Sequence, residues 1–514
     1  MTADTQLETL TAKGLVKMAA ERPELEYLFR HALVQDAAYG SLLKQERRDL
    51  HGRVGEALET LYPERTSELA PVLAMHFEQA GDSEKAIDYY VAGGQHALKQ
   101  NAIQEAFGAF DQAAGLIDRT TAARGGEPES PQRRRRRIEV KLGRARAGYS
   151  FLSADQALAS LEEIVTEAED LGDQELLARV HMLIALGRLQ SGVPPTEPTV
   201  ARSLARIEEI GLALGDPSIR AMPLAFVGLS QVFNGPVRAG VEALEKAVPL
   251  MQEHRDSIGA AFARGGLAMG YATLGEFDKA DIAAANAKEL AEDGDLIAQL
   301  DALIAESMVR AAEGRLDLAV PIARACVDKA ESTGASACVL ASSWVLGDAL
   351  HRLGRFADAR DILKRGADVA LMVDRQVWRP TLQAWLSTAS AALGEIVGGD
   401  FEESLAMARS IGNHLGEAGI LGKRAETAAA HGDIEPAVAD YAAAVRILEE
   451  QGARPAVARG LQSWGETLRA AGRMDEATPI LQRSLALFET LDLRTEAATV
   501  RAVLALGGLK LAFD

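Results

Sequence analysis

One short phrase of sequence returns at regular intervals and constrains the fold more than any other feature. It consists of glycine, any residue, an apolar residue, two further residues and alanine. The phrase occupies Gly275–Ala280, Gly314–Ala319, Gly354–Ala359, Gly432–Ala437 and Gly472–Ala477, and an earlier copy at Gly81–Ala86 opens the series. From Gly275 onward its glycines are 39, 40, 78 and 40 residues apart, which predicts a further copy near Gly394. Such a chain folds as an array of units of about 40 residues.

Each part of the phrase has a mechanical reason. Glycine after an apolar helical stretch ends the helix, because it adopts the left-handed conformation without a Cβ clash. The next helix begins at once, and its alanine allows two helices to approach closely. Small residues then recur at helical spacing, as at Ala280, Ala284 and Ala287. The phrase therefore predicts a repeated hairpin of two helices.

Composition agrees with an all-helical chain and limits its partners. Aromatic residues make up only 5% of the 514 residues, and strand-forming runs are nearly absent. The net charge of −19 repels phosphate backbones and anionic lipid, so we expect neither a nucleic-acid nor a membrane partner. Cys326 and Cys338 fit neither a redox pair nor a zinc cluster, which indicates reduced thiols and a cytoplasmic location.

The spacing resembles the tetratricopeptide pattern. Ala268 or Gly347 stands at its first small position and Tyr271 at its aromatic position, while Ala280 and Ala287 fill its two alanine positions. The unit is longer than the tetratricopeptide's roughly 34 residues, which implies longer helices or longer loops. The resemblance covers roughly residues 66–514 and implies an all-α solenoid of helical hairpins, with a right-handed superhelical course. It says little about function.

Two stretches interrupt the array. Thr120–Gln132 is rich in Gly, Pro and polar residues and reads as a linker, and the five arginines Arg133–Arg137 follow it. These arginines allow either a patch for an acidic partner or a solvated helix start, and the second interpretation is favoured. Ser191–Pro198 breaks a helix. We thus divide the chain into residues 1–65, short helices at 66–119, a linker with the basic run at 120–137, and the main array at 138–514.

The first 65 residues do not follow the repeat. Leu7–Lys13 predicts a short helix, Leu15–Met18 and Leu25–Phe29 predict a small hairpin, and a helix follows, as in the rear half of a winged-helix unit. The segment from Phe29 to Glu59, with His31, His51 and the continuation through His76 to Tyr90, resembles the region after the ATPase module in STAND-type bacterial proteins. It is similar in particular to those carrying class III adenylate or guanylate cyclase domains and tetratricopeptide repeats. The resemblance implies a C-terminal sensor and scaffold part, in which His31, His51 and His76 pack the winged helix against the first repeats.

The catalytic modules of the resembled class are absent from this sequence. The nearest approach to a phosphate-binding loop, Gly416–Arg424, has the wrong spacing, ends in Arg instead of Ser or Thr, and lies within a helical repeat. Three functions remain open. The chain is a non-catalytic scaffold or sensor for a protein, peptide or small effector; the regulatory part of an ATPase-coupled cyclase, whose own upstream modules would be partners; or, less favoured, part of a repeat-containing transcriptional regulator.

Candidate chemistry is sparse. The nine histidines show no HExxH motif and no pair at i, i+4, so we expect no metal. Cys326 falls at the small-residue position equivalent to Ala287, which favours buried packing over a nucleophilic role. No active site and no cofactor are expected.

The predicted binding surface is the concave groove lined by the first helix of each hairpin. On the repeat register, one unit contributes Trp344, Asp348, His351 and Arg352, and the last complete unit contributes Gln462, Glu466 and Arg469. Trp344 is a candidate peptide anchor, since aromatic side chains dominate binding hot spots. The alternative, that Trp344 and Trp464 only fill gaps between repeats, is favoured over this role.

Overall fold

The fold is built from helices throughout the part of the chain that a computed structural model describes. That part comprises residues 3–20, 26–100, 102–123, 129–148, 152, 154–253, 257–292, 296–373, 377–395 and 401–510. It contains 25 α-helices, one short 3-10 helix and one two-stranded sheet. Two compact units are present, one formed by Met1–His96 with Gly108–Pro128 and the other by Ala97–Phe107 with Glu129–Asp514.

The first elements of the chain are a helix, a β-hairpin and further helices. The hairpin pairs β1, Val16–Ala20, with β2, Glu26–Phe29, in antiparallel register with Val16 opposite Phe29. The helices up to residue 123 are α1 Ala3–Ala12, α2 Ala32–Ser41, α3 Lys44–Leu61, α4 Ala70–Ala80, α5 Ser83–Lys99 and α6 Ile103–Ala123, with the 3-10 helix at Pro63–Arg65. The helix and hairpin expected from the sequence are thus present, apart from Leu25, which lies outside the described residues.

The remaining helices form the repeat array. They are α7 Pro131–Gly148, α8 Ala154–Leu171, α9 Gln174–Gln190, α10 Pro198–Leu214, α11 Pro217–Asn234, α12 Val237–Glu253, α13 Ser257–Leu274, α14 Phe277–Ala291, α15 Leu296–Ala312, α16 Leu316–Thr333, α17 Ser336–Arg352, α18 Phe356–Met372, α19 Arg379–Ala391, α20 Phe401–Ser410, α21 His414–His431, α22 Ile434–Glu450, α23 Arg454–Ala470, α24 Met474–Thr490 and α25 Arg494–Lys510. Most are 17 or 18 residues long. The extra length of each unit therefore lies in its helices, since the turns span only two or three residues.

Turn glycines set the length of every helix. Gly354, between α17 and α18, has φ +72°, and the next amide, that of Arg355, donates to Leu350 O at 2.9 Å and closes the helix end. The predicted copy at Gly394 also has positive φ. A second set, including Gly334 and Gly452, ends the even-numbered helices, and Asp492 takes this place once with φ 55°. The chain thus turns about every 20 residues, twice as often as the phrase alone indicates.

Small residues set the distance between paired helices. Ala268, Ala280 and Ala287 are fully buried, and Tyr271 is 8% exposed, as the tetratricopeptide register predicts. Gly347 of α17 faces α18 so closely that a Cβ there would lie 2.5 Å from the Leu363 side chain. The all-α, tetratricopeptide-like solenoid is confirmed.

The odd-numbered helices of the array form its inner side. From α7 to α23, each odd helix contacts the next odd helix, as well as its hairpin partner. Neighbours are closest on the concave side of a curved array, so the odd helices line that side. In addition, α11 contacts α21 and α13 contacts α23. Five hairpins thus complete one turn of the superhelix, and helices of the next turn lie against those of the first.

Turns at the edge of the array make the same closure visible. The space beside Gly235 is filled by the Gln451 side chain, and that beside Gly275 by Leu491, each 216 residues further along the chain. Gly192 likewise meets Ile411. These contacts bring distant repeats together at places where glycine leaves room.

Several local predictions need correction. The helix α6 runs to Ala123 and α7 begins at Pro131, so both ends of the expected linker are helical, and residues 124–128 lie outside the described part. The basic run is not simply solvated. Arg133 is 7% exposed and donates to Glu129 at 3.0 Å, while Arg137 pairs with Glu129 and Glu167. His31 is exposed instead of packed, whereas the break at Ser191–Pro198 falls between α9 and α10 as expected.

Two glycine substitutions test this packing. Gly347→Ala places a methyl group against Leu363 and should destabilise the array by about 1–3 kcal/mol. Gly422→Ala, in the middle of α21 with no neighbour within 4 Å of the added Cβ, should stabilise it by about 0.5–1 kcal/mol. Urea unfolding followed by circular dichroism measures both. Equal effects of the two substitutions would contradict the close helix contact at Gly347.

Candidate functional site

The candidate site is the inner face, defined here as the side formed by the odd-numbered helices α11–α25. Four of the residues predicted to line a groove lie on α17: Trp344, Asp348, His351 and Arg352. Their spacing places them on one stripe of the helix. Trp344, Asp348 and Arg352 are half-buried and His351 is buried. The structure therefore brings these four together at the inner face.

The residues predicted on α23 are placed less tightly. Gln462 and Glu466 are half-buried and bonded to each other, with Gln462 Nε2 donating to Glu466 Oε1 at 2.9 Å. Arg469 is exposed. The residue of α23 that meets α17's partners is instead Arg459, which the sequence prediction missed. Arg459, Gln462 and Glu466 share one helical stripe, so extending the register one turn toward the N-terminus would have found it.

An aromatic cluster forms the first part of the inner face. The Trp344 ring lies 6.1 Å from the rings of both Trp378 and Trp385, measured between centroids. Phe233 of α11 meets Trp378 at 5.5 Å. Trp344 thus packs against the protein's own rings, and Trp464 likewise packs among apolar side chains of α22–α24. The indole N–H of Trp344 is nevertheless buried without a hydrogen-bond partner.

A polar network adjoins this cluster. Trp385 Nε1 donates to Asp348 Oδ1 at 2.9 Å, and Lys423 of α21 lies 5.5 Å from the centroid of the Trp385 ring. Lys423 Nζ donates to Glu426 Oε2 at 3.0 Å, and Glu426 Oε1 is 2.5 Å from His351 Nε2. Three odd helices, α17, α19 and α21, are joined in this way. Lys423 lies in mid-helix, which confirms that Gly416–Arg424 is no phosphate-binding loop.

Two arginines close the network at its other end. Arg352 Nη1 donates to Ala311 O at 2.8 Å, and Arg459 Nη2 donates to Ala312 O at 2.6 Å. Both acceptors are carbonyls at the end of α15. Glu496 of α25 lies 3.1 Å from Arg459 Nη2 and 3.8 Å from Arg352 Nη2. The inner face is therefore largely paired with itself.

These pairings hold the acids ionised. Burial alone would raise the pKa of Glu426, but Lys423 and the hydrogen bond from His351 outweigh it and lower this pKa to about 2. Burial opposes ionisation of Asp348 as well, yet Arg352, Lys423 and the Trp385 indole lower its pKa. Burial lowers the pKa of Arg459 to about 10, and the nearby charge of Arg352 adds to this effect.

The remaining candidates are not organised for catalysis or metal binding. Cys326 is fully buried, as its packing role predicts, and burial raises the pKa of its thiol to about 12. Both cysteines are free. In the described part of the chain, no group of three or more His, Cys, Asp or Glu residues could hold a metal ion. No helix within that part is both long enough and apolar enough to span a bilayer.

The lowered pKa of Glu426 predicts how stability depends on pH. An acid whose folded pKa lies below its ordinary value of 4.5 stabilises the fold above pH 4.5, and this contribution disappears as pH falls toward 2. At neutral pH, Glu426→Gln should therefore be less stable than the natural chain by about 1 kcal/mol, since the side chain is partly exposed. Thermal unfolding of both proteins between pH 7 and pH 3 should show this difference shrinking below pH 4.5. A difference that stays constant would contradict the role given to Glu426.

Comparisons with known proteins support the fold. No protein-family model matches the chain. An uncharacterized protein of Rhizobium meliloti (strain 1021) is 28% identical over 109 residues, which are 21% of this chain and only 11% of that protein. The chain thus spans about a tenth of the length of the curated relative that it matches.

Solved structures resemble the chain over greater lengths. A Rap protein complexed with Competence and Sporulation Factor has a TM-score of 0.52 at 16% identity, covering 70% of this chain and 99% of its own. The Cut9–Hcn1 hetero-tetramer of APC/C gives 0.49 at 14% identity, covering 94% and 93%. A STAND protein with a tetratricopeptide repeat sensor from Pyrococcus horikoshii gives 0.38 at 13%, covering 93% and 61%. The Rap likeness shows the fold, while the resemblance to cyclase-linked STAND proteins stays a prediction.

Proposed function

We propose that this chain is a non-catalytic scaffold and sensor in bacterial signalling, which binds a protein or peptide segment on the inner face of its repeat array. One observation carries the proposal. Successive odd helices present a continuous stripe of half-buried aromatic and charged side chains, from Trp344 to Arg459, with polar hydrogens that have no acceptor. Arrays of this kind use their concave side as the binding surface.

The chemistry of the inner face favours recognition of a polypeptide. Its tryptophan rings offer apolar contact area, and the buried indole N–H of Trp344 offers a donor to a backbone carbonyl. Lys423, Glu426 and Arg352 offer paired charges that a partner can compete for. The Rap protein of similar fold was solved as a complex with Competence and Sporulation Factor, and we assign a comparable binding role to this chain.

The same groups are poorly suited to catalysis. A general base works best with a pKa near the working pH, whereas that of Glu426 lies at about 2. The thiol of Cys326, with a pKa of about 12, stays protonated and is a weak nucleophile. We therefore expect purified protein to show neither ATP turnover nor cyclic-nucleotide formation, and sustained turnover of either kind would refute a purely binding role.

Selection from a displayed random peptide library tests the binding role directly. Selected peptides should lose at least tenfold in affinity for Trp344→Ala, since central tryptophans of interfaces are worth about 2 kcal/mol or more. Trp344→Phe keeps the ring packing and removes only the N–H, so it separates binding from folding. Ile282→Ala, on the outer helix α14 with the side chain 65% exposed, is the matched control and should bind normally. Failure to enrich any peptide, or equal losses for Trp344→Ala and Ile282→Ala, would count against the proposal.

A second role is favoured by the first residues of the chain. The helix α2 buries none of its residues, and α3 buries only Gly55. Leu28, Leu33 and Leu43 are 53%, 82% and 69% exposed, far more than isolated folding would favour. We propose that this surface docks the ATPase module implied by the resemblance to STAND proteins, so that the array regulates a multidomain ATPase-coupled cyclase.

Substitution of two exposed leucines tests this second role. The double variant Leu33→Ser with Leu43→Ser should keep the thermal stability of the array, because neither side chain is buried. It should lose binding to the P-loop ATPase module of a cyclase-linked STAND protein from the same genome, measured by calorimetry. Unchanged binding of that module by the double variant would exclude these leucines as the docking surface.

A further inference from the structure

Glu496 lies between two arginines that come from different helices. It stands in the first turn of α25, 3.1 Å from Arg459 Nη2 of α23 and 3.8 Å from Arg352 Nη2 of α17. The side chains of all three are only 17–23% exposed. The carboxylate also packs against the turn glycine Gly314, where an added Cβ would lie 2.4 Å from Glu496 Oε1. Glu496 therefore fills a fitted position on the inner face.

The two arginines are fixed without the help of Glu496. Arg352 donates to Ala311 O and Arg459 to Ala312 O, at the C-terminal end of α15. Carbonyls at a helix C-terminus carry partial negative charge and attract cations. The guanidinium groups would therefore remain in place if the carboxylate between them left. Pre-positioned arginines of this kind bind carboxylates well, because their forked donors match the two oxygens.

The arginine pair has binding capacity that the chain itself does not use. Arg459 Nε is buried without a hydrogen-bond partner. Asp348, the other acid nearby, lies 3.8 Å from Arg352 Nη1 and already accepts the Trp385 indole hydrogen. The lowered pKa of Arg459, caused by burial and then by Arg352, agrees with a positive charge that is incompletely compensated.

We propose that Arg352 and Arg459 form a carboxylate-binding subsite of the inner face, that Glu496 occupies it in the free protein, and that an acidic side chain of the partner replaces Glu496 there. This rests on the proposed function, because it assumes that a partner binds the inner face. It adds the chemical class of the partner, a segment bearing Glu or Asp. It also makes Glu496 an internal competitor of that partner.

Replacement of Glu496 has a consequence for α25. The turn before this helix rests on Gly275 through Leu491, and the start of the helix rests on Gly314 through Glu496. Binding of an acidic segment removes the second of these contacts and loosens the start of α25. By reciprocity, whatever draws α25 away also raises the affinity of the subsite for its ligand.

The test uses the full chain and labelled hexaglutamate with an amidated C-terminus, followed by fluorescence anisotropy. The net charge of −19 disfavours nonspecific attraction of this probe. Glu496→Gln should bind it about tenfold more tightly than the natural chain, the effect of one charge-assisted contact no longer competing. Glu496→Ala, which removes the occupant, should bind at least as tightly. Glu489→Gln is the control, because it breaks the exposed Glu489–Arg501 pair at the same end of the chain and should change nothing.

Two further arms define the ligand. Adding Arg459→Gln to Glu496→Gln should reduce binding to the level of amidated hexaglutamine. Hexaglutamine with a free C-terminus should also bind at that low level, and tight binding of this peptide in place of hexaglutamate would overturn the assignment to an acidic side chain. Hydrogen exchange should show the first turn of α25 exchanging faster in Glu496→Gln and in the probe complex.

The two proposals fail in different ways. Should Glu496→Gln bind hexaglutamate no better than the natural chain while selected peptides still depend on Trp344, the subsite is wrong and the binding function stands. Should no peptide of either kind bind, both are wrong.

Discussion

The architecture depends on the left-handed turn that ends each helix. Only glycine adopts this backbone conformation without strain, and one such residue about every 20 positions stops each helix at nearly the same length. Equal helices joined by short turns must lie side by side, and the small residues between them fix their separation. The stripe at the inner face follows from this regularity, because residues at equivalent positions of successive odd helices are brought into line.

Much of the fold could be predicted from the sequence for the same reason. The phrase beginning at Gly275 marks every turn inside a hairpin, including the degenerate copy at Gly394. The turns between hairpins carry no alanine phrase, and one uses Asp492 instead of glycine, so they escaped notice. The arginines after residue 132 looked like a free cationic run, because their partners Glu129 and Glu167 are not at a spacing that the sequence marks as paired.

The site was harder to predict than the fold. Register alone placed Trp344, Asp348, His351 and Arg352 on the inner side, because that depends only on helical periodicity. It did not show that His351 meets Glu426 or that Arg352 and Arg459 share Glu496, since these contacts join residues 75 or more positions apart. Such contacts depend on how far each hairpin rotates relative to the last, and that rotation is not encoded in any single repeat. For this reason the inner face, expected as an open groove, is instead largely occupied by its own ion pairs.

Closure of the superhelix after five hairpins limits how this chain can evolve. An open solenoid gains or loses a repeat at little cost, because each unit touches only its neighbours. Here Gly235 and Gly275 receive side chains from units a full turn away. Loss of one hairpin between them and those units would shift every such pair out of register at once. The number of repeats between α11 and α25 is thereby held constant by geometry, and divergence must proceed by substitution at the inner face.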